Sequence, residues 1–281
     1  MSVTVVTDST AYLPADLAAG ASIEVVPVQV VIGGRAYDET DPEASPARVA
    51  EALRAWQPVT TSRPSPERFR QAFVEASEGG AQAVVCATLS SRMSATFESA
   101  ELAAKEVDIP VHLVDSRTVG MGLGFAVLAG ARLAADGAPA EDVAALIEHR
   151  ARASTSLFYV DTLEYLRRGG RIGAARAAMG QALQVKPILQ ILNGEVMPLE
   201  RVRTSAKAIA RLTELTLGAT LGRSVEIAVQ HLDAATRADA LAATLAEALP
   251  HTRIVVCPLG AVVGAHTGPG IVASVVSPLV D

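Results

Sequence analysis

The 281-residue chain is half hydrophobic, with a mean hydropathy of +0.31, so a sizeable core is available and wholesale disorder is excluded. Lys and Arg total 24 against 30 Asp and Glu, a net charge of −6 with no basic run, which argues against nucleic acid as a partner. Apolar runs such as "IVVCPLGAVVGA" (254–265) fall short of the ~18 residues a spanning helix needs, leaving at most transient contact with a membrane surface.

The chain opens "MSVTVVTDST", which has no basic leader and reads as a strand over 3–6 in a cytoplasmic protein. Residues 83–89 and 111–114 are further strands, apolar on both faces and therefore buried. Between the strands at 3–6 and 83–89, "SPERFRQAFVEAS" starts a helix with Ser65 as cap and Pro66 at the first position, and Phe69, Ala72, Phe73 and Ala76 mark one face. Stretches 94–107 and 138–153 are helical by the same test. Alternating strands and helices indicate a parallel sheet flanked by helices. A strand at 156–160 follows, then a short helix in "TLEYLRRGGRIG" stopped by Gly169-Gly170. "KPILQILNGEVMPLERVR" reads as a hairpin around Asn193-Gly194. A helix capped by Thr204, a strand at 225–230, a helix at 235–248 and a strand at 253–257 complete a second α/β domain. Cys86 and Cys257 lie in apolar runs and read as buried thiols.

Ligands of open α/β sheets bind beyond the carboxyl ends of the strands. That rule singles out "TDST" (7–10), "TTSRPS" (60–65), "LSSRMSAT" (89–96) and "DSRTVGMGLG" (115–124). Hydroxyls dominate these segments: Thr60, Thr61, Ser62, Ser65, Ser90, Ser91, Ser94 and Thr96. Such a site suits an anion of modest charge, and no Walker lysine motif is present for a triphosphate. Asp8 and Asp115 have two readings, as caps of turns or as magnesium ligands in a small-molecule phosphotransferase or phosphatase. The glycines of "GMGLG" (120–124) are read as close packing of a helix on the sheet. No GxSxG elbow occurs, and His112, His149, His231, His251 and His266 lack zinc-site spacing, so neither a catalytic nucleophile nor a metal is expected. "GAHTGPG" (264–270) stands apart. Its glycines would let backbone N–H groups approach an anion, with His266 either a catalyst or a fixed polar group.

"TDST", "TTSRPS", "LSSRMSAT", "LEYLRRGGRIG", "KPIL" with a following "NG", "RVRT" and "HTGPG" occur in the order and spacing of the DegV family, from about residue 4 to 276. The chain thus resembles the fatty-acid-binding subunits of bacterial fatty acid kinase. The resemblance implies two α/β domains, which the change of pattern near residue 155 divides into 1–155 and 156–281, with a long-chain fatty acid held between them and no other cofactor. It implies a lipid-binding protein of phospholipid metabolism and not an enzyme: the acyl carboxylate is presented to a separate kinase subunit, which phosphorylates it with ATP. Residue by residue, it assigns the carboxylate to Thr61 and Ser94, with Thr60, Ser62 and Ser91 beside them; sequence does not separate Thr60 from Thr61 or Ser91 from Ser94. Arg171 and His266 fall in the polar network of the head group, and Arg203 of "RVRT" on the surface facing the kinase. The family's serine-glycine-threonine-tyrosine run appears here as Ser94-Ala95-Thr96-Phe97, and Arg63 stands in place of the usual glutamine, bringing positive charge toward the head group.

Overall fold

The computed structural model describes residues 2–175 and 186–279. From the amino end come β1 (Val3–Asp8), α1 (Ala15–Ala18), β2 (Ile23–Val26), β3 (Gln29–Ile32), β4 (Arg35–Asp38), α2 (Pro46–Arg54) and β5 (Val59–Ser62). Then follow α3 (Pro66–Glu78), β6 (Ala83–Thr88), α4 (Thr96–Ala104), β7 (Val111–Asp115), α5 (Met121–Ala135), α6 (Ala140–Ala153), β8 (Thr155–Tyr159) and α7 (Glu164–Arg168). The last part holds β9 (Lys186–Leu192), β10 (Glu195–Val202), α8 (Ser205–Thr220), β11 (Val225–His231), α9 (Ala235–Ala248), β12 (Arg253–Pro258), α10 (Ala261–Thr267) and β13 (Val272–Pro278).

These elements form two compact units, Met1–Gln29 with Ser62–Arg152, and Val30–Thr61 with Ala153–Asp281. Sequence suggested one boundary near 155; in the structure residues 30–61 fold with the carboxyl-terminal half, so the chain passes between units three times.

The first unit is built on a four-stranded parallel sheet of order β2-β1-β6-β7. Its strands are apolar at successive positions because both faces are covered. Val3, Val5, Ala83 and Val85 point to Leu123, Val127 and Ile147 of α5 and α6, while Val6, Val84 and Cys86 point to Phe69 and Phe73 of α3 and Ala100 of α4. Gly124 lets α5 close in: a Cβ there would lie 2.5 Å from the Ala11 carbonyl oxygen and 2.9 Å from Met121 Sδ. Of the "GMGLG" glycines, Gly124 serves packing, while Gly120 takes φ of +68° just ahead of α5.

The second unit holds a six-stranded sheet of order β10-β9-β8-β13-β11-β12, antiparallel throughout except for β11 and β12. Ile227, Val229, Val272 and Val276 of this sheet pack on Leu212 of α8 and Leu241 and Leu245 of α9. The Asn193-Gly194 turn between β9 and β10 has φ of +53° and +85°, the two left-handed positions a tight hairpin turn demands. Thr204 caps α8 by accepting the Lys207 N–H at 3.2 Å. Ser65, by contrast, makes no side-chain cap bond to α3; Pro66 alone sets that start.

A three-stranded sheet of order β4-β3-β5 belongs to the second unit as well. Val30 and Ile32 of β3 and Val49 and Leu53 of α2 share one apolar cluster with Ala261 of α10, and Tyr165 of α7 packs against it. That shared burial is why residues 30–61 join distant sequence rather than their neighbours. Among the described residues no helix is long and apolar enough to cross a membrane.

Candidate functional site

The second unit assembles its polar site around α10. "AVVGAHT" makes a helix thin enough to be hemmed in closely: at Gly264 a Cβ would stand 2.8 Å from Leu232 Cδ2. Glu39 accepts the Val262 N–H at 2.8 Å, placing a carboxylate on the helix N-terminus, where the dipole favours it. His266 lies in the last turn of this helix, not in a loop as the glycine-rich sequence suggested. After it Gly268 takes φ of +77° and the chain turns.

The glycines of this segment do not cradle an anion. Gly264 N–H donates to the Gly260 carbonyl at 3.0 Å, Gly268 N–H to Gly264 at 2.8 Å and Gly270 N–H to Leu232 at 2.8 Å. All three donors are used inside the protein. What the glycines supply is closeness to one side of α7 and its flanks. A Cβ at Gly268 would be 2.8 Å from Tyr165 Cγ, and one at Gly270 2.8 Å from Asp161 Cγ. In the same register the missing Cβ of Gly169 leaves room for the His266 ring, which it would meet at 2.9 Å from Cε1 and 3.1 Å from Cγ. Residues 161, 165 and 169, on α7 and its flanks, recur every four positions and lie along 270, 268 and 266 in opposite sense.

Thr61 Oγ1 sits 2.8 Å from His266 Nε2. In β5 the side chains alternate, so Thr61 is half-buried toward His266 while Thr60 and Ser62 are exposed. Ser62 donates to Gln29 Oε1 at 3.2 Å instead. Arg171, exposed after α7, places Nη1 2.7 Å from the Gly169 carbonyl, and Gly169 abuts the His266 ring. Burial, aided by the Arg171 charge, pushes His266 down to about 4, so the imidazole is neutral at pH 7. Its Nδ1 is buried with no hydrogen-bond partner among the described residues. An orphaned N–H costs more than an orphaned lone pair, and Arg171 favours a lone pair nearby. These terms assign the proton to Nε2, which donates to Thr61 and leaves the Thr61 hydroxyl hydrogen directed to a further acceptor.

In the first unit the hydroxyl segment after β6 is already largely engaged. Ser91 donates its hydroxyl to Asp115 Oδ2 at 2.5 Å and its N–H to Oδ1 at 3.0 Å. Ser94 Oγ and Thr96 Oγ1 are 2.9 Å apart, Ser94 half-buried and Thr96 buried. Arg63 reaches the Ala95 carbonyl and Glu98 Oε2, both at 3.2 Å, and so ties down the start of α4.

Asp8 and Asp115 do not make a magnesium site. Asp8 is fully buried and accepts from Thr10 N at 3.0 Å, Thr10 Oγ1 at 2.6 Å and Leu89 N at 2.7 Å. Asp115 is taken up by Ser91 and by Arg117, whose Nε lies at 2.7 Å. Both carboxylates cap turns, and the phosphotransferase or phosphatase reading loses its ligands. Burial raises the Cys86 thiol, with Asp8 adding to it, and lifts Cys257 to about 11, so neither is a nucleophile at neutral pH.

Arg203 is exposed between β10 and the Thr204 cap of α8. Sequence reasoning passed over Asp161, Tyr165, Gly169 and Glu39; the available signal was the four-residue spacing of the first three.

A family model described as "Uncharacterised protein, DegV family" matches residues 2–279. A DegV domain-containing protein of Streptomyces coelicolor is 48% identical over 276 residues, 98% of each chain. Protein DegV of Bacillus subtilis is 36% identical over 273 residues, 96% of this chain and 97% of that one. Among solved structures, a fatty-acid-binding DegV family protein of Thermus thermophilus superposes with a TM-score of 0.93 at 36% identity, covering 99% of this chain and 100% of that chain. DegV of Bacillus subtilis, described as a fatty acid binding protein, gives 0.88 at 33% identity, again with 99% and 100% covered. With its two α/β units and a family match over nearly its whole length, the chain belongs to the DegV family.

Proposed function

We propose that the chain binds a long-chain fatty acid in the cytoplasm, receives its carboxylate at Thr61, His266 and Arg171, and presents it to a separate kinase subunit for phosphorylation. The observation that carries this reading is the Thr61–His266 pair at 2.8 Å, with a neutral imidazole that frees the threonine hydroxyl as donor. Arg171 beside it supplies positive charge that helps a lipid carboxylate to leave water. Fatty acid binding by the Thermus and Bacillus structures supports the ligand class.

The energetics are consistent. Burial contributes about 0.8 kcal/mol per methylene, so roughly 14 methylenes give ~11 kcal/mol before ordering costs. The tail supplies affinity; the hydroxyl and guanidinium keep the head group from cancelling it. Phosphorylation of an ionised carboxylate needs no base. A carboxylate oxygen attacks the terminal phosphorus of ATP, ADP departs, and an acyl phosphate forms. A neutral His266 suits that step because it adds no second positive charge to that of Arg171 beside the attacking oxygen.

Organic extraction of the purified protein followed by mass spectrometry identifies the lipid and its length. Thr61→Ala and Arg171→Ala each lower fatty acid affinity about tenfold, the loss of one charge-assisted bond of roughly 1.5 kcal/mol, and Thr61→Ser retains it. Ser94, assigned to the carboxylate by family resemblance, belongs to the other unit and is tested by its own alanine variant. Adding the kinase subunit and ATP yields acyl phosphate, trapped as the hydroxamate, and Arg203→Ala slows this without altering lipid affinity. No co-purifying lipid, and unchanged affinity in every variant, reject the proposal.

A further inference from the structure

We propose that Asp161 and Arg237 are positioning residues that fix the Gly268–Gly270 turn and, through it, the His266 ring. The inference deepens the carboxylate-binding reading of His266 and rests on it for its functional arm only.

Asp161 stands two residues beyond the end of β8, and its carboxylate touches neither Thr61 nor His266 among the bonds described above. It is nevertheless one of the most engaged side chains of the unit. The Tyr159 hydroxyl donates to Oδ1. Arg237 brings Nη1 to 3.4 Å from Oδ1 and Nη2 to 3.3 Å from Oδ2, and its guanidinium lies 5.8 Å from the centre of the Tyr159 ring. Lys186 Nζ donates to the Asp161 backbone carbonyl at 2.9 Å. Tyr159 Oη is also 2.7 Å from Ser205 Oγ at the start of α8, so the group is anchored to a long helix. Burial alone would raise the Asp161 carboxyl, but Tyr159, Arg237 and Lys186 overcome it and hold the group ionised.

This ion pair forms the floor under Gly270. A Cβ at that position would lie 2.8 Å from Asp161 Cγ and 3.1 Å from Arg237 Nη2, so the Gly270 backbone rests directly on both partners. From the other side Gly270 N–H is held by the Leu232 carbonyl at 2.8 Å. Gly270 also takes φ of +93°, a conformation that glycine adopts without strain. Four residues earlier, His266 occupies the equivalent place over Gly169. The turn is thus pinned at both ends against one ridge, and the Asp161–Arg237 end is the one held by charge.

The test uses the full chain, first stripped of lipid and then loaded with a fluorescent fatty acid. Asp161→Asn keeps the shape and removes the charge; Arg237→Ala removes its partner. The His266 ring proton signal, assigned by its loss in His266→Gln, reports ring position without reference to lipid. Both variants are expected to displace that signal, with Arg237→Lys displacing it less, and the double variant no further than the singles. Fatty acid affinity is expected to fall about tenfold in each single variant. An unmoved His266 signal in Asp161→Asn and Arg237→Ala, with native circular dichroism, overturns the inference. A displaced signal with unchanged affinity upholds the positioning role and refutes the carboxylate role of His266. Should Asp161→Asn fail to fold, Tyr159→Phe and Arg237→Lys decide in its place: a signal unmoved in both overturns the inference.

Discussion

Gly169→Ala separates steric packing from backbone preference, because the two have opposite signs there. Gly169 has φ of −73° and ψ of −6°, open to any residue. Alanine would therefore stabilise by about 0.5–1 kcal/mol through lower chain entropy if nothing stood in the way. The His266 ring stands in the way. Its Cε1 and Cγ would lie 2.9 Å and 3.1 Å from the new methyl, with Nδ1 closer still, against a comfortable separation of roughly 3.5 Å. The ring must retreat, and the 2.8 Å bond to Thr61 lengthens past hydrogen-bonding range. Overpacking of this kind costs about 1–3 kcal/mol, so a net loss of ~1–2 kcal/mol is expected. Urea unfolding of lipid-free protein measures it, with Gly218→Ala as internal control. Gly218 is exposed on α8 with nothing within 4 Å of its missing Cβ, so alanine there gains about 0.5–1 kcal/mol. Both glycines belong to the same unit, so one transition reports both. Fatty acid affinity should also fall about tenfold in Gly169→Ala alone. If Gly169→Ala stabilises as Gly218→Ala does, the packing of His266 on Gly169 is refuted.

Two further outcomes can be checked. His266 is held near 4 in the folded chain against an ordinary 6.5, so between those values the unfolded chain binds a proton that the folded chain refuses. Stability should therefore fall as pH drops through that window, by roughly 3 kcal/mol in total. The difference in unfolding free energy between the parent and His266→Gln isolates this slope, and a flat difference contradicts it. Asp8→Asn swaps one acceptor for an amide donor facing Thr10 and Leu89, and should destabilise by about 2–4 kcal/mol regardless of added magnesium. A magnesium-dependent midpoint in the parent, lost in the variant, would restore the metal reading.

Much of the architecture is legible from pattern alone. Doubly apolar runs at β1 and β6 mean both faces are covered, and Val5 and Val6 indeed point to different helical layers. Asn193-Gly194 specifies its turn through the φ each residue tolerates. Thr61 and His266 are 205 positions apart, yet the family motifs name both. What pattern does not convey is which segments share a core. Val30, Ile32, Val49 and Leu53 are ordinary apolar residues whose partner Ala261 carries no distinguishing mark. Nor does composition tell why a glycine is a glycine. In "GAHTGPG" the lack of side chains reads equally as an anion nest or as clearance, and only the positions of Leu232, Tyr165 and Asp161 choose clearance.

The interleaving of residues 30–61 with α10 bears on how the molecule is made. Glu39 waits 223 positions for the Val262 amide it caps. At a synthesis rate of about 5–20 residues per second, that delay is roughly 10–45 s. During it the β3–α2 segment has emerged from the ribosome with Val30, Ile32, Val49 and Leu53 able to cluster with one another but still missing Ala261 and Tyr165, while β1, β6 and β7 can already pair. Biosynthesis therefore leaves a small apolar cluster waiting, incomplete on one side, for a helix made almost last, the stretch a nascent-chain chaperone would be called upon to shield.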